Sequence, residues 1–332
     1  MTIILENKPI VYNFTPKNKR IFITGGTGFL GRNLIERLYK DNEIIIYSRD
    51  EAKHYFLKEK YPNVHFVIGD IRDKDLLKRS SKGVNIGIFA ASLKQISSCD
   101  ENPEEALKII ANGAINSKNV AIENQFDAAT FISSDKSRAA TTLYGSLKYF
   151  AGEQFIIKNN HERNCNTNLS TIIYGNVLNS TGSIIPMIWK SINSNTELTL
   201  FSNKMTRFII DVDEAIDLIF KGISYDQVSI IPKSKSLKIL DLFEIYKENF
   251  NLKFNIGYPR IGEKIHEVLV SKEEMTRLCN SDCGSFYILK PSLPKFYSGN
   301  DRLKKGDYSS KDCLISKSEL KKILEKFNYF KS

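Results

Sequence analysis

The sequence lacks the marks of several protein classes. No apolar run in its 332 residues approaches the ~18–20 that a membrane-spanning helix needs. The opening MTIILENKPIVYNF holds an acidic residue and no basic stretch, so it does not read as a secretory signal, and the closing KFNYFKS carries no lipidation site. Cysteine is sparse: Cys99, Cys165, Cys279, Cys283 and Cys313 are an odd set with no Cys-x-x-Cys pair. Cys279 and Cys283 have no histidine at ligand spacing, so no metal is expected, and reduced thiols of a cytoplasmic protein are the reading. Repeats and low-complexity segments are missing too. With 42% apolar and 26% charged residues, the composition is that of a globular protein with a sizeable core. The net charge of +10 comes from dispersed lysines mixed with acidic residues. There is no arginine-rich arm, RNP-type aromatic motif or zinc finger, so no nucleic-acid partner is expected and a small anionic substrate is the next candidate.

What is present is an alternation. Residues 1–19 are polar without a clear period and read as an N-terminal arm or edge strand. Short β-branched runs then follow as strands: RIFITGG, EIIIYSR (43–49), VHFVIGD (64–70), NIGIFAAS (85–92), AATFISSD (128–135) and LSTIIYG (169–175). Helical patterns lie between them, including TGFLGRNLIERLYK, one continuous helix over 103–124, and TLYGSLKYFAGEQFIIK. The fold class is therefore α/β, a doubly wound parallel-sheet Rossmann fold. Residues 1–178 form its cofactor domain. Residues 179–332 form a smaller substrate domain, with some chain crossing back to the sheet.

Gly25, Gly28 and Gly31 form a G-x-x-G-x-x-G turn between strand one and helix one. Gly25, Thr27, Gly28, Phe29, Leu30 and Gly31 are the candidate pyrophosphate cradle, because glycines let backbone N–H groups approach and the helix start is positive. Strand two ends on Ser48 and Arg49, which suit a 2′-phosphate and favour NADP over NAD; alternatively Arg49 stacks on adenine. Asp70 and Ile71 are placed at the adenine edge, or Asp70 caps the helix starting near Lys74. Ala90 and Ala91, at the end of strand four, are expected to border the cofactor.

Tyr144 and Lys148 are four apart on one helix face. A lysine cation beside a phenol lowers its pKa, so Tyr144 is a candidate acceptor of a hydroxyl proton during hydride transfer, with Ser134 as hydroxyl donor. A surface Tyr–Lys pair is the bland alternative. This set resembles the extended short-chain dehydrogenase/reductase superfamily. Asp135 and Lys136, next to Ser134, add an acid and a base that a 4,6-elimination needs and an epimerisation does not. A dry pocket can populate the neutral Asp–Lys pair without changing the proton count, which makes Asp135 the acid and Lys136 the base. A strand-end salt bridge is the alternative.

IFITGGTGFLG, YSRDE, GDIRD, AASLKQI, NPEEALK, SSDK, LYGSLK, YGNV, GSIIP, MTRF and RIGEKIHEVL, in that order, resemble the C5-inverting UDP-N-acetylglucosamine 4,6-dehydratases of polysaccharide and flagellar-glycan biosynthesis. The similarity is fainter through Tyr308-Ser309-Ser310. The resemblance implies catalytic roles for Ser134, Asp135, Lys136, Tyr144 and Lys148, with Tyr144 and Lys148 also expected to contact the cofactor. It implies a place near the nicotinamide or the sugar for Lys94, phosphate contacts for Asn176 and Arg207, and ribose or uridine contacts for Arg260 and Glu263. The alternatives are a solvent-facing Lys94, a helix cap for Arg207 and a pairing of Glu263 with Lys264. The implied ligands are NADP and a UDP-sugar, and a homo-oligomer built on the helices at 103–124 and 143–159 is expected. The chain departs from the pattern in SRAATTLYG, which lacks an Asn-Pro, and at Ile110 and Ile173; these changes are expected near the sugar. The rival readings are an epimerase or ketoreductase, and a non-catalytic NADP-binding protein.

Overall fold

The structure, a computed structural model, describes residues 15–162, 164–259, 262–293 and 306–331. Of the expected N-terminal arm, residues 1–14 lie outside the described residues. Six short strands follow one another with helices between them: β1 (Arg20–Thr24), β2 (Glu43–Ser48), β3 (His65–Ile68), β4 (Ile86–Phe89), β5 (Ala128–Ile132) and β6 (Asn168–Ile172). The intervening helices are α1 (Phe29–Leu38), α2 (Glu51–Lys60), α3 (Lys74–Ser80), α4 (Ile96–Glu101), α5 (Pro103–Ala106), α6 (Gly113–Glu123) and α7 (Leu143–Ile156). The strands pair in parallel. Helices cover both faces, which is why β4 and β5 are buried along their whole length instead of alternating. Leu34, Ile35, Ile216 and Ile219 pack one face, and Phe89, Ile110, Phe131 and Phe155 the other.

Beyond β6 come β7 (Asn176–Val177), α8 (Ile184–Asn193), β8 (Leu198–Leu200), β9 (Thr206–Ile210), α9 (Val212–Gly222), β10 (Val228–Pro232), β11 (Lys235–Lys238) and α10 (Ile239–Phe250). They are followed by β12 (Phe254–Ile256), β13 (Val268–Val270), β14 (Leu278–Asn280), β15 (Phe286–Leu289), β16 (Tyr308–Ser309) and α11 (Lys317–Lys326). β10, β14 and β15 return to the main sheet, whose order among the described residues is β14-β15-β10-β6-β5-β4-β1-β2-β3. α8, β8, β9, β11, α10 and α11 build a further apolar cluster around Leu242, Tyr246, Leu320 and Leu324. The strand order reverses between β1 and β4, so the crevice for ligands opens there, at the carboxyl ends of the strands. No helix of the described residues is long and apolar enough to cross a membrane.

One expected helix is interrupted. Between α5 and α6, Leu107–Asn112 is wound as a π-helix. The wider turn presents Ile109 to the central cavity while Ile110 and Ala111 stay in the core.

Candidate active site

A cavity of about 500 Å³ lies over the crevice. Its floor at one end is the glycine turn. Gly25 has φ +69°, and a Cβ on it would meet the Ala91 backbone at 2.9 Å. Gly31 lies in the first turn of α1, where a Cβ would come within 2.4 Å of the Gly26 backbone. Both positions therefore exclude a side chain, one by conformation and one by close packing of helix on turn. Gly28 is the N-cap of α1 and makes no side-chain cap bond. The helix start, with its unpaired N–H groups and positive dipole end, borders the cavity through Gly28, Phe29 and Leu30. These features fit the pyrophosphate of a dinucleotide.

The rim at this end is made by Thr27, Ser48, Arg49, Asp70 and Ile71, with Ala90, Ala91 and Lys94 opposite. Ser48 Oγ lies 2.6 Å from His54 Nε2 and 3.3 Å from Thr27 Oγ1. Burial holds the pKa of His54 below its usual range. Arg49 lies 3.7 Å from Asp70 Oδ2. Asp70 does not cap α3, because Asp73 accepts from the Leu76 N–H at 2.9 Å and does so instead. The carboxylate of Asp70 takes Arg72. Burial lowers the pKa of Lys94, and the Lys53 and Arg32 cations add to the effect.

At the other end, β5 runs into a short turn at Asp135–Ser137 that carries the acid–base residues. Ser134 Oγ donates to Asp135 Oδ1 at 2.9 Å, and Lys136 Nζ donates to the same oxygen at 2.9 Å. Asp135 Oδ2 is buried with no hydrogen-bond partner among the described residues. Lys136 Nζ also reaches Asn176 Oδ1 at 3.4 Å and Glu267 Oε1 at 3.4 Å. Burial pushes the Asp135 carboxyl well above the usual range; the Glu267 charge adds to this and the Lys136 charge opposes it. Burial works to lower Lys136, but Asp135 and Glu267 outweigh it and hold the ammonium above its usual value.

Tyr144 and Lys148 sit in the first turns of α7, which opens on a Thr142 cap bond to the Gly145 N–H. Gly145 lets this helix approach, since a Cβ there would meet Lys136 O at 2.4 Å. Lys148 Nζ donates to the Ile132 carbonyl at 3.0 Å, and burial lowers its pKa to about 8. The Tyr144 phenol is pushed up to about 12 by burial, although Lys136 pulls the other way. This corrects the expectation that the lysine four residues on would lower it: in a dry site the cost of a buried phenolate prevails.

Asn176 and Val177 lead from this cavity into a second one of about 210 Å³, which Arg207 and Glu263 also line. Arg207 lies within β9 and caps no helix; its guanidinium donates to Glu263 Oε1 at 2.6 Å. Glu263 thus pairs with Arg207, not with the neighbouring Lys264. Arg260 lies outside the described residues.

A family model described as polysaccharide biosynthesis protein matches residues 21–290. The chain belongs to that family. It is 33% identical over 331 residues to a UDP-N-acetylglucosamine 4,6-dehydratase (inverting) of Campylobacter jejuni, covering 94% of this chain and 98% of that one. It is 32% identical to a UDP-glucose 4-epimerase of Rickettsia bellii, over 81% of this chain and 82% of that one. Among solved structures it resembles Pen from Bacillus thuringiensis, with TM-score 0.86 and 26% identity, covering 94% of this chain and 99% of that one.

Two departures from the family pattern lie next to cavity-lining residues but face away from the cavity. Ile110 and Ile173 are 1% and 0% exposed in separate apolar clusters and line neither cavity. The altered segment after Lys136 is held by a residue that the spacing gave no reason to single out. Arg138 is fully buried and pairs with Glu153 at 3.2 Å and Glu274 at 2.5 Å. Its carbonyl accepts from Lys264 Nζ at 2.6 Å. Glu267 was also missed; its only signal was an acidic residue inside RIGEKIHEVL.

Proposed function

We propose that this family member is a UDP-N-acetylglucosamine 4,6-dehydratase that inverts C5 and uses NADP. The observation that carries the reading is the Asp135–Lys136 pair, a buried carboxyl 2.9 Å from a half-buried amine, in the same cavity as the glycine turn and Tyr144. The named Campylobacter jejuni relative, similar over nearly the whole chain, supports it.

When bound, NADP supplies the acceptor for a hydride from C4 of the sugar and its return to C6. The chain's own residues manage the protons. Ser134 donates to the C4 oxygen and Tyr144 Oη takes the C4 hydroxyl proton, with Lys148 behind it on the same helix; the positive nicotinamide of bound NADP would offset the burial that otherwise keeps Tyr144 a phenol. The resulting C4 carbonyl makes the C5 proton acidic. Lys136 Nζ takes that proton while Asp135, protonated on its unpartnered oxygen, gives one to the C6 hydroxyl, which leaves as water. The 2.9 Å contact between the two side chains lets the proton pass from Lys136 to Asp135 and resets the pair. Hydride return to C6 leaves a sugar enolate whose C5 takes a proton of solvent origin on the opposite face, while Tyr144 gives the C4 hydroxyl proton up to solvent.

Arg49, with Ser48 held by His54, gives the 2′-phosphate a cation and a hydroxyl, which supports NADP over NAD. Asn176 and Arg207 are assigned to the UDP phosphates, and Glu263 to the nucleoside, with Arg207–Glu263 opening to receive them. Five cysteines, an odd set with no Cys-x-x-Cys pair, suit a reducing compartment, and we place the enzyme in the cytoplasm. Exposed Leu107, Tyr149 and Phe150 lie on the helices expected to join subunits, which supports a homo-oligomer.

The Rickettsia bellii relative supports an epimerase as the second reading. A mass-resolved assay with UDP-N-acetylglucosamine and NADP separates the two. Product lighter by one water supports the dehydratase, while product of unchanged mass with inverted C4 supports the epimerase. No conversion of either kind contradicts both.

A further inference from the structure

We propose that Glu267 is a positioning residue that sets the proton content of the Asp135–Lys136 pair. Its place in the reaction rests on the dehydratase reading; its electrostatic content does not.

Three observations carry the proposal. First, the Glu267 carboxylate is buried, with its side chain 4% exposed, and lies 3.4 Å from Lys136 Nζ. Asp135 lies on the same ammonium at 2.9 Å, so two carboxylates share one cation. Secondly, Glu267 is pinned by its main chain. Its N–H donates to Ser310 Oγ at 2.9 Å, and its carbonyl accepts from the Ser310 N–H at 2.9 Å and from Ser309 Oγ at 3.3 Å. The Tyr308-Ser309-Ser310 segment thus fixes the start of β13, and with it the position of this carboxylate. Thirdly, Glu267 is the better compensated of the two acids. Arg207 Nε and Lys264 Nζ each lie 3.7 Å from it. Among the described residues, Ser134, Asn176, Tyr144 and Glu263 are further polar and charged groups around the pair.

The consequence follows from charge alone. Like charges resist joint ionisation, so each carboxylate raises the proton affinity of the other. Glu267 is held below its usual range by Lys136, Arg207 and Lys264 despite its burial, while burial and the Glu267 charge raise Asp135, so Asp135 is the one of the two that takes up a proton first. The same anion also holds Lys136 charged. Elimination needs Asp135 protonated and Lys136 neutral, a state bounded by two coupled proton losses. Removing the Glu267 charge moves both losses to lower pH.

The test uses the full chain with NADP bound and ¹³Cε-labelled lysine, with the Lys136 signal assigned by its loss in Lys136→Arg. In Glu267→Gln the Lys136 midpoint is expected to fall by about one pH unit or more, and in Glu267→Asp, which keeps the charge but draws it back, by less. The pH profile for water loss from UDP-N-acetylglucosamine moves to the acid side in the same order. Should Glu267→Gln fail to fold, Glu267→Asp carries the measurement. An unmoved Lys136 midpoint in the folded variants overturns the proposal. A shifted midpoint with no water loss by any form, wild type included, upholds the electrostatic role and overturns the dehydratase reading instead.

Discussion

The cofactor cradle and the acid–base cluster share one cavity but are assembled in different ways. The cradle is local: a strand, a glycine turn and a helix within residues 20–38 place backbone N–H groups, and the side chains matter mainly by being missing. The cluster is non-local: Ser134 to Lys136 come from the end of β5, Arg207 from β9, and Glu267 from the start of β13, held by β16. A backbone site tolerates neighbours of many kinds as long as the turn forms. A side-chain cluster depends on every charge, because its carboxylates are buried and the protonation of each ion is set by the others.

That difference can be sharpened by substitutions, beginning with the largest effect. Lys136→Ala is expected to lower the rate of water loss by ~10³-fold or more while NADP affinity, read by fluorescence titration, stays within about twofold. Normal turnover by this variant would refute the assigned base. Tyr144→Phe is expected to cost ~10²-fold in kcat, again with NADP binding intact, because it removes the proton acceptor at C4 and no cofactor-cradle group. Gly31→Ala should act in the opposite way. Its methyl collides with the Gly26 backbone, so thermal unfolding should show a loss of about 1–3 kcal/mol and NADP titration a weaker Kd. The smallest effect is expected for Arg49→Ala: about tenfold weaker binding of NADP with NAD unchanged, since only the 2′-phosphate contact is lost. Equal losses for both cofactors would instead point to stacking on adenine.

The same contrast explains what was legible in the sequence. The strand–turn–helix unit is written in contiguous residues, so Gly25, Gly28, Gly31 and the tip of β2 were found from spacing. Asp135, Lys136, Tyr144 and Lys148 fall within fifteen positions of one another around one strand end, and their meeting in the cavity followed from the fold class. Glu267 and Arg138 gave no such signal. Each is an ordinary charged residue until the register of β13 against β16, or the approach of Glu274, buries it. The directions of pKa shift were the hardest to read, because they depend on how much water is excluded. The expected lowering of Tyr144 failed for that reason, and the expected neutral pair meets a second carboxylate that no local pattern announced. The π-turn at Leu107–Asn112 belongs with these. Helical periodicity ran through it unbroken, and only the packing shows Ile109 turned toward the cavity while Ile110 remains inside.

The central claim is that the Asp135–Lys136 pair removes water across C5 and C6 of a nucleotide sugar. The most direct measurement is to run the reaction with UDP-N-acetylglucosamine and NADP in D₂O and to locate deuterium by NMR in the product. A product lighter by one water, with deuterium at C5, is predicted. Product that has lost water but carries only hydrogen at C5 would contradict proton removal and solvent-exchanged return at that carbon.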